Sequence, residues 1–324
     1  MAILITGAYG FIGSQLAHQL LQTQEEELLL VDSFSNGRSR SCAQGLASVP
    51  FIDRDQFLDR LPRLTSIKIV FHLGACTDTG QTDENYLKKW NTDYTCTIFK
   101  WCTERQIPLI YASSAATYGS GEFGYSDDHA RIFKLKPLNL YGQSKQDFDL
   151  WALQQPKTPP AWYGLKFFNV FGFDENHKGR MASTIYHGFH QIQTGKKMIL
   201  FKSHRADIPD GQQKRDFIFI DDIVRLCCFF SKKRPASGIY NCGTGQARSF
   251  YDMALSLFKT LQVPVNIEWI PTPEKFRNGY QYFTQADMTK TRNVGFQDSF
   301  ISLEEGIATY VQQLLKNKNK GYEK

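Results

Sequence analysis

Tyr141 and Lys145 make the only Tyr-x-x-x-Lys in a 324-residue chain that holds 15 tyrosines. On a helix, two residues four apart share a face. A phenol with an ordinary pKa near 10 is a poor base at neutral pH, and an ammonium beside it favours the phenolate. About one such pentad arises by chance at average composition, so the spacing alone decides nothing. Two upstream features give it weight. In Thr6-Gly7-Ala8-Tyr9-Gly10-Phe11-Ile12-Gly13, the glycines suit a turn whose backbone N–H groups approach a pyrophosphate. Gly7 permits the tight turn, Gly10 the close approach, and Gly13 close packing of helix on strand. Ser113-Ser114 ends a later apolar run, and the Ser114 hydroxyl can hold a reacting alcohol in line with Tyr141. A phosphate cradle, a strand-end hydroxyl and a helical Tyr/Lys pair together predict hydride transfer to a nicotinamide dinucleotide.

Asp32 follows the cradle by about twenty residues, where an acid can bond the adenine ribose hydroxyls and favour NAD. Arg38, Arg40 and Arg54 come soon after, and each is suited to a 2′-phosphate. NADP and NAD both stay open on these residues.

The elements that must position this chemistry alternate. Apolar runs at residues 2–6, 28–32, 67–73, 108–113 and 162–169 read as buried strands. Helical patterns at 11–21, 83–104 and 140–154 separate them, and the last carries the pentad. This alternation predicts an α/β fold with a doubly wound parallel sheet, a Rossmann arrangement. After residue 169 the elements shorten and the loops fill with Gly, Asp and Lys. Residues 1–169 are therefore read as the dinucleotide-binding domain and 170–324 as mainly a smaller substrate-binding lobe, interleaved with the sheet.

Composition narrows the classes. The net charge of +6 is dispersed, without a nucleic-acid-binding motif, so no nucleic-acid partner is expected. No apolar run reaches about 18 residues and no secretory leader is visible, so no membrane span is expected. Seven irregularly spaced cysteines, with no C-x-x-C, point to the reducing cytoplasm and to no bound metal.

Residues 6–13, 114–119 and 141–145 read Thr-Gly-x-x-Gly-Phe-Ile-Gly, Ser-x-x-x-Tyr-Gly and Tyr-Gly-x-Ser-Lys. With these three motifs the chain resembles the extended short-chain dehydrogenase/reductases that act on nucleotide sugars. A dehydratase of that superfamily would carry an Asp-Glu pair where Ala115 and Ala116 stand. Residues 167–172 and the run His177-Lys178-Gly179-Arg180-Met181-Ala182-Ser183 resemble the ADP-L-glycero-D-manno-heptose 6-epimerases within it. Further similar stretches at 111–119, 214–217 and 280–287 extend the resemblance over about residues 2–312.

This resemblance implies an isomerase that inverts C6 of ADP-heptose for the lipopolysaccharide core. An unactivated alcohol carbon has no acidic C–H, so inversion needs transient oxidation to a ketone and re-reduction on the other face. Tyr141 and Lys178 would carry protons on the two sides of the substrate. The resemblance implies cofactor contacts, with NADP foremost, at Phe11, Ile12, Asp32, Ser33, Asn91, Lys145, Val170 and Lys178. Leu73, Gly74, Ala75, Cys76 and Thr77 would lie alongside, Leu73 through its backbone because the family carries glutamate there. Substrate contacts would come from Ser114, Asn169, His187 and Tyr280, with Arg215 on the diphosphate. Arg180 replaces a small serine of the family. Phe201, Lys202, Ser203 and His204 open a loop, 201–213, longer than the family's, at the nucleotide end. A homo-oligomer, pentameric in the family, is implied as well. Two other readings stand beside this one: a C4-epimerase of another nucleotide hexose, and a non-catalytic dinucleotide-binding protein.

Overall fold

The computed structural model describes residues 1–23, 27–33, 43–277 and 279–319. Its centre is a seven-stranded sheet whose neighbours all run parallel. The strands are β1 (Ala2–Thr6), β2 (Leu28–Asp32), β3 (Phe51–Asp53), β4 (Ile67–His72), β5 (Leu109–Ser114), β6 (Trp162–Phe167) and, from much later in the chain, β10 (Gly238–Cys242). Their order is β10-β6-β5-β4-β1-β2-β3. The order reverses beside β1, which leaves a crevice at the carboxyl ends of β1 and β4.

Successive side chains on a strand point to opposite faces, and each face here is apolar. Ile3, Ile5, Leu28, Leu30 and Phe71 enter one core, covered by α1 (Phe11–Thr23). Leu4, Val31, Val70, Leu109 and Tyr111 enter the other, covered by α2 (Tyr94–Glu104) and α3 (Leu140–Leu153). The helix expected over 83–104 is one continuous run with a change of pitch. Residues Lys88–Asp93 form a π-helical stretch, and that stretch turns Asn91 inward. Asn139 starts α3, its side chain accepting from the Gly142 N–H at 2.8 Å.

The strand expected over 162–169 divides. β6 ends at Phe167, the Phe168 N–H bonds the Cys242 carbonyl at 3.1 Å, and β7 (Asn169–Phe171) leaves for another sheet. There it pairs with β9 (Lys214–Phe219), which also pairs with β11 (Ala247–Ser249). β8 (Met198–Phe201) and β12 (Ile267–Ile270) form a separate parallel pair. The longer helices of this half are α4 (Thr184–Gly195), α5 (Ile220–Lys233), α6 (Phe250–Thr260) and α7 (Leu303–Asn319). Like β10, α5 returns to the large sheet and packs on α1. Among the described residues, no helix is long and apolar enough to cross a membrane.

Candidate active site

A cleft of about 850 Å³ opens at the sheet's switch point. Its floor is the β1–α1 turn. Gly7 has φ +67, and a Cβ there would lie 2.6 Å from the Gly74 Cα; a Cβ on Gly13 would lie 2.1 Å from the Gly7 carbonyl oxygen. The turn therefore has no room for side chains and offers bare backbone at a helix N-terminus, which suits a pyrophosphate. Asp32, at the end of β2, accepts from the Tyr9 N–H at 2.8 Å and the Ser33 N–H at 2.7 Å, which fixes its carboxylate beside the turn.

A buried relay holds the opposite lip. Thr95 donates to the Asn91 carbonyl at 2.6 Å, so its oxygen accepts from His72 Nε2 at 2.9 Å. His72 Nδ1 is then the acceptor for the Thr6 hydroxyl at 2.6 Å. Burial, with the nearby Lys145 charge, drops the His72 pKa to about 3, so the ring stays neutral.

The residues expected to do acid–base chemistry lie in the same cleft. Burial raises the Tyr141 phenol from its ordinary value, and a hydrogen bond from Ser114 opposes that. Ser114 Oγ also accepts from the Ala116 N–H at 3.1 Å. Lys145 Nζ donates to the Ala112 carbonyl at 2.8 Å; burial lowers its pKa to about 8, while Asp149 pulls it upward. From the other wall, Lys178 reaches in with its ammonium 4.8 Å from the centre of the Phe11 ring. Burial lowers its pKa too, and Glu175 opposes the shift.

Of the residues expected from sequence, Tyr141, Lys145, Ser114 and Lys178 all line this one cleft. So do Gly7, Gly10, Phe11, Ile12, Gly13, Asp32, Ser33, Arg54, Leu73, Gly74, Ala75, Cys76, Thr77, Asn169, Val170 and Arg180. Asn91 does not. It is fully buried, its amide donating to the Cys76 carbonyl and the Ser144 hydroxyl at 2.9 Å each and its oxygen accepting from the Cys76 N–H at 2.8 Å. It shapes the 74–77 stretch instead of facing a ligand. Arg38 lies outside the described residues.

The expected substrate residues divide further. Arg215, buried, stacks its guanidinium 5.5 Å from the ring centres of Phe250 and Tyr280. His204 packs edge-on to Tyr280 and Tyr282. Phe250 also lines the cleft, so this aromatic–basic cluster adjoins it. Ser203 bonds Asp210 through its N–H at 2.7 Å, and the Lys202 N–H bonds the Ile270 carbonyl at 2.8 Å. Phe201 pairs with Ile270 across β8–β12, and His187 packs on Tyr186. None of Phe201, Lys202, Ser203 and His187 lines the cleft. Arg180 lines the cleft with its side chain exposed to solvent and ion-paired with Asp78 at 2.6 Å.

Residues 3–243 match the NAD dependent epimerase/dehydratase family. The chain belongs to that family. The ADP-L-glycero-D-manno-heptose-6-epimerase of Fusobacterium nucleatum is 39% identical over 98% of this chain and 99% of its own. That of Brachyspira hyodysenteriae is 38% identical over 97% and 98%. Among solved structures, the Helicobacter pylori ADP-L-glycero-D-manno-heptose-6-epimerase matches with a TM-score of 0.79 at 26% identity, covering 97% of this chain and 96% of that one. A Bacillus cereus UDP-glucuronic acid 4-epimerase solved with NAD matches with a TM-score of 0.79 at 25% identity, covering 97% and 100%.

Behind this family cleft lies a network that the sequence reading missed. Asp149 and Lys166 are fully buried and pair at 2.6 Å. Asp149 also accepts from Tyr111 at 2.9 Å and Ser113 at 2.6 Å, and Lys166 donates to Thr117 at 2.7 Å. Thr117 donates to the Ser114 carbonyl at 2.7 Å, which ties the network to the site. Two signals were available: Asp149 follows Lys145 by one helical turn, and Lys166 is a lone charge in an apolar strand. Among the described residues no cluster of His, Cys, Asp and Glu could hold a metal ion.

Proposed function

We propose that this protein epimerises ADP-D-glycero-D-manno-heptose to ADP-L-glycero-D-manno-heptose at C6, in supply of lipopolysaccharide core heptose. The observation that supports the reading is that Tyr141 and Lys178, two groups able to carry a proton, line different walls of one dinucleotide-sized cleft. A one-way dehydrogenase needs one. A reaction that inverts an alcohol moves the oxygen across the plane of the ketone, and a carrier on each side serves both faces.

A nicotinamide dinucleotide held on the Gly7–Gly13 turn would supply the hydride acceptor and donor that the reaction needs. The chain's residues manage the protons and the geometry. Burial moves the two carriers in opposite senses, the phenol up and the lysine down. In each case burial disfavours the charged form. Ser114 holds the C6 oxygen toward Tyr141, and the buried Lys145 charge steadies the phenolate when Tyr141 has given its proton up. Ala115 and Ala116 leave no acid beside Ser114 for eliminating water. Arg215, buried against two rings, offers a fixed guanidinium to the diphosphate.

NADP is the proposed cofactor. Arg54 lies 4.0 Å from the centre of the Trp90 ring and lines the cleft with Asp32 and Ser33, a position suited to a 2′-phosphate. Mass spectrometry of the nucleotide released on denaturation identifies the cofactor. A homo-oligomer belongs to the same proposal, and sedimentation measures it. The test of function is incubation with either ADP-heptose epimer: a mixture of both must form with no net consumption of cofactor. Tyr141→Phe and Lys178→Met must each abolish it, and a wild-type protein that leaves both ADP-heptose epimers unchanged but epimerises another nucleotide hexose would point to C4 chemistry instead.

A further inference from the structure

Lys178 is one end of a small closed loop. Its N–H donates to the Glu175 carbonyl at 3.0 Å, and its ammonium lies 3.8 Å from Glu175 Oε2. The Glu175 carboxylate is fully buried. Oε2 accepts from the Ser183 N–H and Oε1 from the Ser183 hydroxyl, each at 2.6 Å. Ser183 is itself the cap of α4, accepting from the Tyr186 N–H at 3.1 Å. Gly179 turns the chain between them with φ +52, a conformation that glycine adopts without strain. One carboxylate thus ties the segment carrying Lys178 to the start of a rigid helix.

The charge on Glu175 needs a reason. A neutral amide could meet the Ser183 N–H with its oxygen and the Ser183 hydroxyl oxygen with its nitrogen, and a buried carboxylate is costly unless a cation stands near it. Among the described residues, the ion pair that Glu175 makes is with Lys178. The neighbouring charged groups are engaged elsewhere. Asp174 accepts from Gln15 at 2.9 Å, His177 Nδ1 meets the Asp174 carbonyl at 2.9 Å, and Arg180 holds Asp78. Tyr141, Lys145 and Cys76 share the cleft from its other side. Glu175 does not line the cleft itself.

We propose that Glu175 is a positioning residue for Lys178, a buried counter-ion anchored by Ser183 that holds the ammonium on the Phe11 ring and brings it back there after each proton transfer. This rests on the reading that Lys178 carries a proton at C6. A lysine has four rotatable side-chain bonds, and proton transfer demands one geometry, so holding it contributes to kcat and not to substrate binding.

The test is Glu175→Gln, whose amide keeps both Ser183 contacts, with oxygen to the N–H and nitrogen to the hydroxyl. Two quantities are read. One is the pH midpoint of Lys178 in the resting protein, from competitive acetylation followed by mass spectrometry. The other is the split of kcat and KM for ADP-heptose epimerisation. Glu175→Gln lowers the lysine midpoint and drops kcat by about tenfold or more, with KM unchanged. Glu175→Asp restores the midpoint and recovers kcat only in part, because the charge returns at shorter reach. A midpoint that stays in place in Glu175→Gln, or an unchanged kcat, overturns the proposal. If the glutamine variant does not fold, Glu175→Asp decides: a wild-type kcat there overturns it equally. Lys178→Met separates the layers, since retained epimerisation in that variant removes the role of Lys178 itself.

Discussion

Lys166→Met probes the buried pair beneath the site. Lys166 and Asp149 have no solvent exposure and stand 2.6 Å apart. Methionine keeps the length of the stem and removes the charge, so the Asp149 carboxylate is left buried with Tyr111 and Ser113 as its donors. Breaking one side of such a pair costs about 3–5 kcal/mol. For 324 residues, an unfolding entropy of about 2.1 cal/mol/K per residue gives roughly 0.7 kcal/mol/K, so Tm falls by about 4–7 °C. Asp149→Leu in the same background removes the orphaned charge and recovers most of that loss, because a buried pair replaced by apolar groups is often neutral. Activity does not recover with it. The Asp149 charge supports the Lys145 ammonium, and Ser113 and Thr117 hold the backbone around Ser114. The assay is differential scanning calorimetry of both variants, with kcat measured at 25 °C. A Tm within about 1 °C of wild type in the single variant, or a double variant less stable than the single one, refutes the reasoning.

Gly13→Ala places a methyl 2.1 Å from the Gly7 carbonyl oxygen, which is backbone and cannot swing aside. Cofactor affinity measured by calorimetry falls by about a hundredfold, roughly 2.7 kcal/mol; a change under threefold contradicts the cradle. His72 titrates near 3 when folded and near 6.5 when unfolded, so the unfolded chain takes the proton first. Its contribution is present above pH 6.5 and is lost as pH falls toward 3, at up to about 1.4 kcal/mol per pH unit. Urea unfolding between pH 7 and 5 shows that slope in wild type and not in His72→Gln; equal slopes contradict the relay. Arg215→Met removes a guanidinium buried against Phe250 and Tyr280, and raises KM about tenfold or more while sparing kcat. A normal KM would move the diphosphate elsewhere.

The cradle and the Tyr/Lys pentad were legible because each packs its chemistry into a few consecutive residues. Gly10 and Gly13 are bare because a Cβ at either would crowd the Gly7 carbonyl oxygen of the same turn, and the φ of +67 at Gly7 is itself a local demand. Lys178 was legible through family likeness, since a loop lysine carries no sign of its own burial. His72, Asp149 and Lys166 were not read as functional, because their contacts exist only once sheet order brings distant segments together, and Glu175 was not because nothing in a loop sequence marks its burial. Lys166 meets Asp149 through the pairing of β5 with β6, which no periodicity encodes. The break at Phe168 escaped notice because apolar residues continue through it, while the chain passes from one sheet to another. Residues 201–204 were expected at the nucleotide end of the site. The structure instead uses Phe201 and Lys202 in β8–β12 pairing, and Ser203 and His204 to hold the 201–213 loop against Asp210 and Tyr282.

The central claim is that C6 gives up its hydrogen as hydride and receives the same hydride back, while Tyr141 and Lys178 handle the oxygen's proton. Epimerisation of ADP-D-glycero-D-manno-heptose in D₂O, followed by mass spectrometry and proton NMR of the L-glycero product, tests it most directly. Protium at C6 of the product is the expected result. Deuterium at C6 would mean proton abstraction from carbon and would contradict it.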